Sequence, residues 1–177
     1  AAQPYKPPKP GSIKRGTEPF AIHIVDCHDC DHKQYASAPW TNASFTARLV
    51  ELARAAKGNG ETAAAASLAL GNALYNITWY GNARVVLDAS HQVTRDTSAA
   101  EKWYKRAFDL SKDRELKAKA AYLAAKAELG ELITAAEASG TSTDPLPVPK
   151  TWFAQLKGFA DMQYYREVLR ECGHFAA

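Results

Sequence analysis

The nine prolines of this 177-residue chain fall into two groups, with a long proline-free stretch between them. Six prolines lie in residues 1–39 and the other three in residues 145–149. Because proline lacks the backbone N–H and its ring clashes with the preceding turn, neither group suits the interior of an α-helix. We therefore expect an extended arm at the start of the chain, an exposed loop over residues 139–150, and helices elsewhere.

Outside those two stretches, apolar residues recur every three or four positions, which is typical of helices with one buried side. Thr41, Asn42 and Ser44 are candidate N-caps for the first helix, and Gly58 marks its end. The pattern predicts helices over residues 43–57, 61–79, 97–111 and 113–138, and shorter ones over 151–158 and 161–172. We expect Gly173 to adopt the left-handed conformation that often ends a helix. Residues 20–25 alternate in a way that predicts a short strand or an extended segment pressed on the helices.

Composition narrows the class of protein. Four Trp, eight Tyr and six Phe supply enough bulky apolar surface for a core, and the chain is long enough for one domain. No run approaches the roughly 20 apolar residues of a membrane-spanning helix. The net charge of +3 is too small to indicate nucleic-acid binding. We predict an N-terminal arm over residues 1–40 and a helical domain over 41–177.

The second and third predicted helices carry a pattern of small and large residues. Leu70, Gly71, Leu74, Tyr80 and Ala83 resemble the first half of a tetratricopeptide repeat. The second half is similar to the segment that carries Ala100, Tyr104, Ala107 and Leu110, so that residues 84–97 form an insertion. The resemblance implies an all-α fold of stacked antiparallel helix pairs, with Gly71 where two helices cross and Ala83 in the following helix.

A looser copy of the repeat follows, with Leu116, Tyr122, Leu123, Ala124 and Ala127 on one helix and Trp152, Phe153 and Leu156 on the other. The last helix, with Tyr164, Tyr165, Val168, Leu169 and Cys172, would cap about two degenerate repeats. The alternative is that the helix pairs only form a compact core. The family implies binding of a peptide, a partner subunit or the chain's own extended segment in a groove, without catalysis.

The whole chain also resembles the C-terminal part of larger uncharacterised bacterial envelope proteins. An Ala-Ala-Gln beginning suits cleavage after small residues. We therefore expect a periplasmic or cell-envelope location and a protein partner or larger complex, with no transmembrane segment.

Residues 26–32 contain two cysteines, two histidines and three aspartates. Cys27 and Cys30 have the two-residue spacing that lets both sulfur atoms face one metal ion, and His28 or His32 would supply an imidazole. Zinc prefers such nitrogen and sulfur ligands, so zinc is the expected metal. The sequence predicts a structural metal site at Cys27, His28, Cys30 and His32.

A further ligand would come from His23, Cys172, His174 or one of the aspartates. Cys172 and His174 would tie the arm to the last helix, provided that the arm runs back along a groove between the helices. Alternatives are a local disulfide between Cys27 and Cys30, or two reduced thiols. A metal-dependent or redox enzyme that uses Cys27, Cys30 and a nearby histidine is the alternative function.

Residues 102–126 hold eight basic and three acidic side chains. They would either face an acidic partner or form a solvated helix face. We expect a protein-interaction or scaffold domain with no catalytic residues, whose basic arm docks on an acidic neighbour.

Overall fold

The computed structural model describes residues 17–25, 40–84 and 93–176. These residues form helices and no β-strand, which confirms the predicted all-α class for this part of the chain. The helices are α1 (Asn42–Ala56), α2 (Gly60–Asn76), α3 (Ser98–Leu110), α4 (Arg114–Ala138), α5 (Lys150–Lys157), α6 (Gln163–Glu171) and α7 (Gly173–Ala176). In the same residues, no helix is long and apolar enough to cross a bilayer.

Each of the first four helices packs on the next one along the chain: α1 on α2, α2 on α3, α3 on α4 and α4 on α5. Helix α4 also contacts α6 and, less extensively, α2. These four neighbours can approach α4 closely because alanines lie on several of its sides. Its buried alanines are Ala118, Ala120, Ala121, Ala124, Ala125 and Ala127. In the same way, Gly71 of α2 lies directly beneath the ring of Tyr104 on α3.

The first helix begins as its sequence suggests. Of the three candidate N-caps, Thr41 takes the role: its hydroxyl accepts from Ser44 N, and Ser44 Oγ accepts from Thr41 N. This reciprocal pair is a capping box, which satisfies two backbone donors that the first turn leaves unpaired.

The predicted end of α2 and the predicted position of Ala83 are both wrong. The helix ends at Asn76 instead of residue 79, and Ala83 lies in an irregular segment instead of a helix. The Thr78 hydroxyl donates to Tyr75 O, and Ala83 N donates to Asn76 O, so the chain folds back on the last turn. Local hydrogen bonds from a short polar side chain compete with further helical turns in this way.

One expectation about the C-terminal region is also wrong. Gly173 is not a left-handed cap, because it begins α7; among the described residues, positive φ occurs at Gly60, with 72°, and at Gly140, with 69°, after the end of α4. On α6, Val168 is fully buried, whereas Leu169 is 42% exposed. The two side chains face different sides of the helix because successive helical residues lie about 100° apart.

Glutamates on α4 hold the two short helices in place. Glu128 accepts from the backbone N–H groups of Thr151 and Trp152, and Glu115 accepts from those of Gln163 and Tyr164. A carboxylate at a helix N-terminus satisfies unpaired donors and interacts favourably with the helix dipole. Helices α5 and α6 are therefore fixed against α4 by polar contacts as well as by apolar packing.

Candidate functional site

Residues 17–25, the described part of the predicted arm, lie against the helices without forming a strand. We call this stretch the arm segment. The ring of Phe20 packs on Trp40 and Phe45, with centroid distances of 5.0 and 5.4 Å. Ile22 is buried in the main core, and Ile24 packs against that core. The arm segment is therefore pressed on the helices, as expected, but it forms no strand and contains turns at residues 19–20 and 24–25, where Ala21 N donates to Glu18 O in the first.

Two asparagines on α2 hold the backbone of the arm segment. Asn72 Nδ2 donates to Phe20 O at 2.9 Å. Asn76 Nδ2 donates to Pro19 O at 2.9 Å and to Ala21 O at 3.0 Å. Asn72 and Asn76 are 4% and 2% exposed, so water does not compete for these amides. Because the carbonyl groups belong to the main chain, the two side chains contact the backbone of the turn at residues 19–20 and not the side chains of the arm segment.

Tyr104 fixes the orientation of one of these amides. Its hydroxyl donates to Asn72 Oδ1 at 3.0 Å, which directs the Asn72 NH2 group towards the arm segment. Burial raises the pKa of Tyr104, so the hydroxyl keeps its proton and remains a donor. The Tyr104 contact therefore orients the Asn72 amide so that its NH2 group faces Phe20 O.

Tyr122 of α4 holds the end of the arm segment. Its hydroxyl donates to Ile24 O at 3.0 Å. Burial, together with the neighbouring Cys172 and Tyr164 side chains, raises the pKa of Tyr122 well above its usual range, so this hydroxyl also stays protonated. Asn72, Asn76 and Tyr122, which we call the arm clamp, thus bind four backbone carbonyls from Pro19 to Ile24.

A cavity of about 240 Å³ lies where the arm segment ends. Ile24 and Val25 form one wall, and Tyr122 of α4 forms another. The C-terminal region closes a further side with Cys172 and His174. The end of the arm segment and the C-terminal residues therefore meet at one place in the fold.

Cys172 and His174 occupy this wall in different ways. Cys172 is a half-buried free thiol. His174 Nε2 lies 3.1 Å from Pro147 O, and its ring packs near Phe153. Both residues were proposed as further metal ligands from the sequence, and both share the cavity with Val25.

The four principal metal-ligand candidates, Cys27, His28, Cys30 and His32, lie outside the described residues. Within residues 17–25, 40–84 and 93–176, no three histidine, cysteine or acidic side chains are grouped to hold a metal ion.

The basic stretch of residues 102–126 does not present a uniform charged face. Lys117 lies over the ring of Phe108, and Lys126 lies over that of Tyr122. Lys119 lies over Tyr164, and burial lowers its pKa. Cation–π contacts of this kind hold each ammonium group against its own protein. Much of the positive charge in this stretch thus has a partner within the chain.

Sequence reasoning did not identify the arm clamp. Asn72 and Asn76 are four residues apart on a helix that otherwise carries many alanines, so both carboxamides lie on one face. Buried carboxamides need hydrogen-bond partners, so two of them on one helix face indicate that a neighbouring segment of the chain supplies those partners.

In comparisons with known proteins, no family model, no curated protein and no solved structure matches this chain.

Proposed function

We propose that this protein is an interaction or scaffold domain whose helical groove binds a polypeptide segment and holds the chain's own arm segment. The arm clamp carries this proposal. Its three side chains bind main-chain carbonyls, which any polypeptide segment offers, while apolar contacts to Phe20, Ile22 and Ile24 supply affinity.

The likeness to tetratricopeptide repeats remains part of this proposal. It is supported by the close packing of Gly71 against Tyr104 and by the packing of α1 to α5 in chain order. The turn at Ala83 departs from the family pattern. In such a stack, a partner subunit would contact the helices or the basic residues before residue 17, and the envelope would be the site of assembly.

The arm clamp gives a direct test. In the double variant Asn72→Ala/Asn76→Ala, we expect amide exchange in residues 20–24 to increase at least about tenfold, because each lost bond to a buried carbonyl costs about 1–3 kcal/mol. Asn59→Ala is the matched control, because Asn59 precedes the same helix and its side chain makes no capping hydrogen bond.

A scaffold role also predicts that the protein belongs to a larger complex. Sedimentation of the protein from its native host should show a complex heavier than the monomer, and the double variant should leave that complex while Asn59→Ala remains in it. A monomeric wild-type protein, or equal behaviour of the two variants, would contradict a scaffold role that depends on the groove.

We further propose a structural zinc site that uses Cys27, Cys30 and a histidine, His28 or His32. Support comes from the position of Val25, which shares the cavity with Cys172 and His174. Cys27 follows Val25 by two residues, a chain length of at most about 7 Å. Cys172 or His174 would then complete a ligand set of sulfur and nitrogen, which zinc favours.

Cobalt substitution tests the zinc proposal. Thiolate ligands give Co²⁺ an intense charge-transfer absorption, so Cys172→Ser should reduce this band and lower zinc affinity if Cys172 is a ligand. His91→Ala is a control at a histidine far along the sequence from the cluster. A wild-type protein that binds no stoichiometric zinc would overturn the proposal. Thiol titration with and without reductant would then identify a disulfide or a redox pair.

A further inference from the structure

Aromatic rings form much of the wall of the cavity at the end of the arm segment. Tyr75, Tyr80 and Tyr122 line it from the helices and the turn after α2, and Phe153 lines it from α5. Aliphatic side chains of α4, Leu129 and Ile133, complete this surface. A group inside the cavity would therefore meet ring faces, ring edges and methyl groups.

The hydroxyl groups of two of these tyrosines are engaged by the protein. Tyr80 donates to Gly130 O at 3.0 Å, and Tyr122 donates to Ile24 O at 3.0 Å. The charged residues at the wall, Lys126 and Glu171, have opposite signs, so a net charge on a ligand gains little. The lining favours an uncharged occupant whose surface is mostly apolar.

The size of the cavity sets the size of the occupant. An apolar cavity of about 150 Å³ in another protein holds benzene. The volume of about 240 Å³ therefore accommodates one aromatic ring with a short alkyl substituent. Val25 and Leu146, which line the cavity, are 45% and 46% exposed, so its open side faces solvent and a ligand has a route of entry.

We propose that this cavity binds an uncharged single-ring aromatic group. Offset and edge-to-face contacts with the tyrosine and phenylalanine rings favour an aromatic ring over a saturated ring of the same size. The ring belongs either to a free small molecule or to a phenylalanine side chain of another polypeptide, since both present the same chemistry. This site uses the apolar wall, whereas the proposed zinc site would use Cys172 or His174 on another wall of the same cavity.

Calorimetric titration of the full chain tests the proposal with three probes. Ethylbenzene is the free ring, N-acetylphenylalanine amide is a ring carried on a peptide backbone, and ethylcyclohexane is the saturated control. We expect ethylbenzene to bind with a dissociation constant below about 1 mM, a reasonable affinity for eight heavy atoms, and more tightly than ethylcyclohexane. If N-acetylphenylalanine amide also binds, the cavity accepts a phenylalanine side chain of another polypeptide. If only ethylbenzene binds, the cavity is a site for a free small molecule.

The loop of residues 139–149 offers a matched pair of variants. Leu146 lines the cavity, whereas Val148 lies outside it, and the two are similarly exposed at 46% and 52%. Leu146→Asp should weaken ethylbenzene binding at least about tenfold, because the carboxylate would lose hydration beside an apolar ligand. Val148→Asp should leave the affinity unchanged.

A second variant fills the cavity from within. Leu129→Trp should abolish binding of ethylbenzene, with circular dichroism to confirm that the helices remain. The absence of saturable ethylbenzene binding to the wild-type protein overturns the proposal, as does equal binding by the wild-type, Leu146→Asp and Leu129→Trp proteins. If neither ethylbenzene nor N-acetylphenylalanine amide binds, and Leu146→Asp lowers the stability of the protein while Val148→Asp does not, the chain's own side chains fill the cavity.

Discussion

The ring of Tyr104 occupies the space that a side chain on Gly71 would need: a Cβ atom placed there would lie 2.6 Å from Tyr104 Cε1. Tyr104 is fully buried, and its hydroxyl donates to Asn72, so the ring has no free direction in which to move. One side chain thereby links the packing of α2 on α3 to the orientation of the arm clamp.

Gly71→Ala should lower the free energy of unfolding by about 1–3 kcal/mol through overpacking. This is expected even though alanine favours a helix by about 1 kcal/mol over glycine. Urea denaturation measures the change. Gly173→Ala is the control, because nothing lies within 4 Å of a Cβ at that glycine. Equal stability of the Gly71→Ala and wild-type proteins would contradict the close approach of the two helices.

Tyr122→Phe should lower the free energy of unfolding by about 1 kcal/mol, because Ile24 O loses its hydrogen-bond donor. Hydrogen exchange should show faster exchange in residues 22–25 with little change at Phe20 and Ala21, whose amides donate to Glu18. Tyr165→Phe removes a hydroxyl from a ring that packs edge-on against Phe175 and serves as the control. If exchange at both ends of the arm segment rises equally, the arm segment is released as a unit and Tyr122 has no local role.

The contacts of Glu61 predict that the stability of the protein falls at acidic pH. The Ser111 hydroxyl and then the Lys112 N–H donate to its carboxylate and lower its pKa from the usual 4.5. The pKa of such a carboxylate is lower in the folded state than in the unfolded state. Its ionised form therefore stabilises the fold at pH values above the unfolded-state pKa, and this stabilisation is lost as the pH falls through the folded-state pKa.

Glu61→Gln should therefore flatten the loss of stability at pH values below about 4.5, measured by urea denaturation at a series of pH values. At neutral pH the variant should be less stable than the wild-type protein. Glu51→Gln is the control, because Glu51 forms an exposed ion pair with Arg48. The same slope below pH 4.5 in the Glu61→Gln and wild-type proteins would show that the Ser111 and Lys112 contacts do not favour the ionised form.

The helices were predictable because their signals are local. Thr41 and Ser44 lie three residues apart and cap α1 by themselves, and the boundaries of α3 and α4 differ from the prediction by one residue. The arm clamp was not predictable in this way, because its contacts join residues that are distant in the sequence. Asn76 contacts Pro19, which is 57 positions away, and Tyr122 contacts Ile24, which is 98 positions away. No periodicity encodes such distant pairs.

The end of α2 and Gly173 show why helix ends are harder to predict than helix interiors. Tyr80 continues the apolar period of α2, but it is buried because a turn carries it to Gly130 of α4, not because the helix continues. Gly173 has the residue type of a left-handed cap, yet the chain begins α7 there. The predicted metal ligands from Cys27 to His32 and the division at residue 40 stay predictions.

Glu128 provides a test of how α5 is held beside the cavity. Its carboxylate accepts from Thr151 N and Trp152 N, both at 3.1 Å, at the beginning of the helix that carries Phe153. Glu128→Ala should lower the free energy of unfolding by about 1 kcal/mol, the usual cost of a lost helix cap, and should increase amide exchange in α5. Glu137→Ala on the same helix removes only an exposed ion pair with Arg95, which usually contributes about 0–1 kcal/mol. If the two variants lose equal stability and exchange in α5 is unchanged, apolar packing alone fixes α5, and the cavity wall does not depend on the cap.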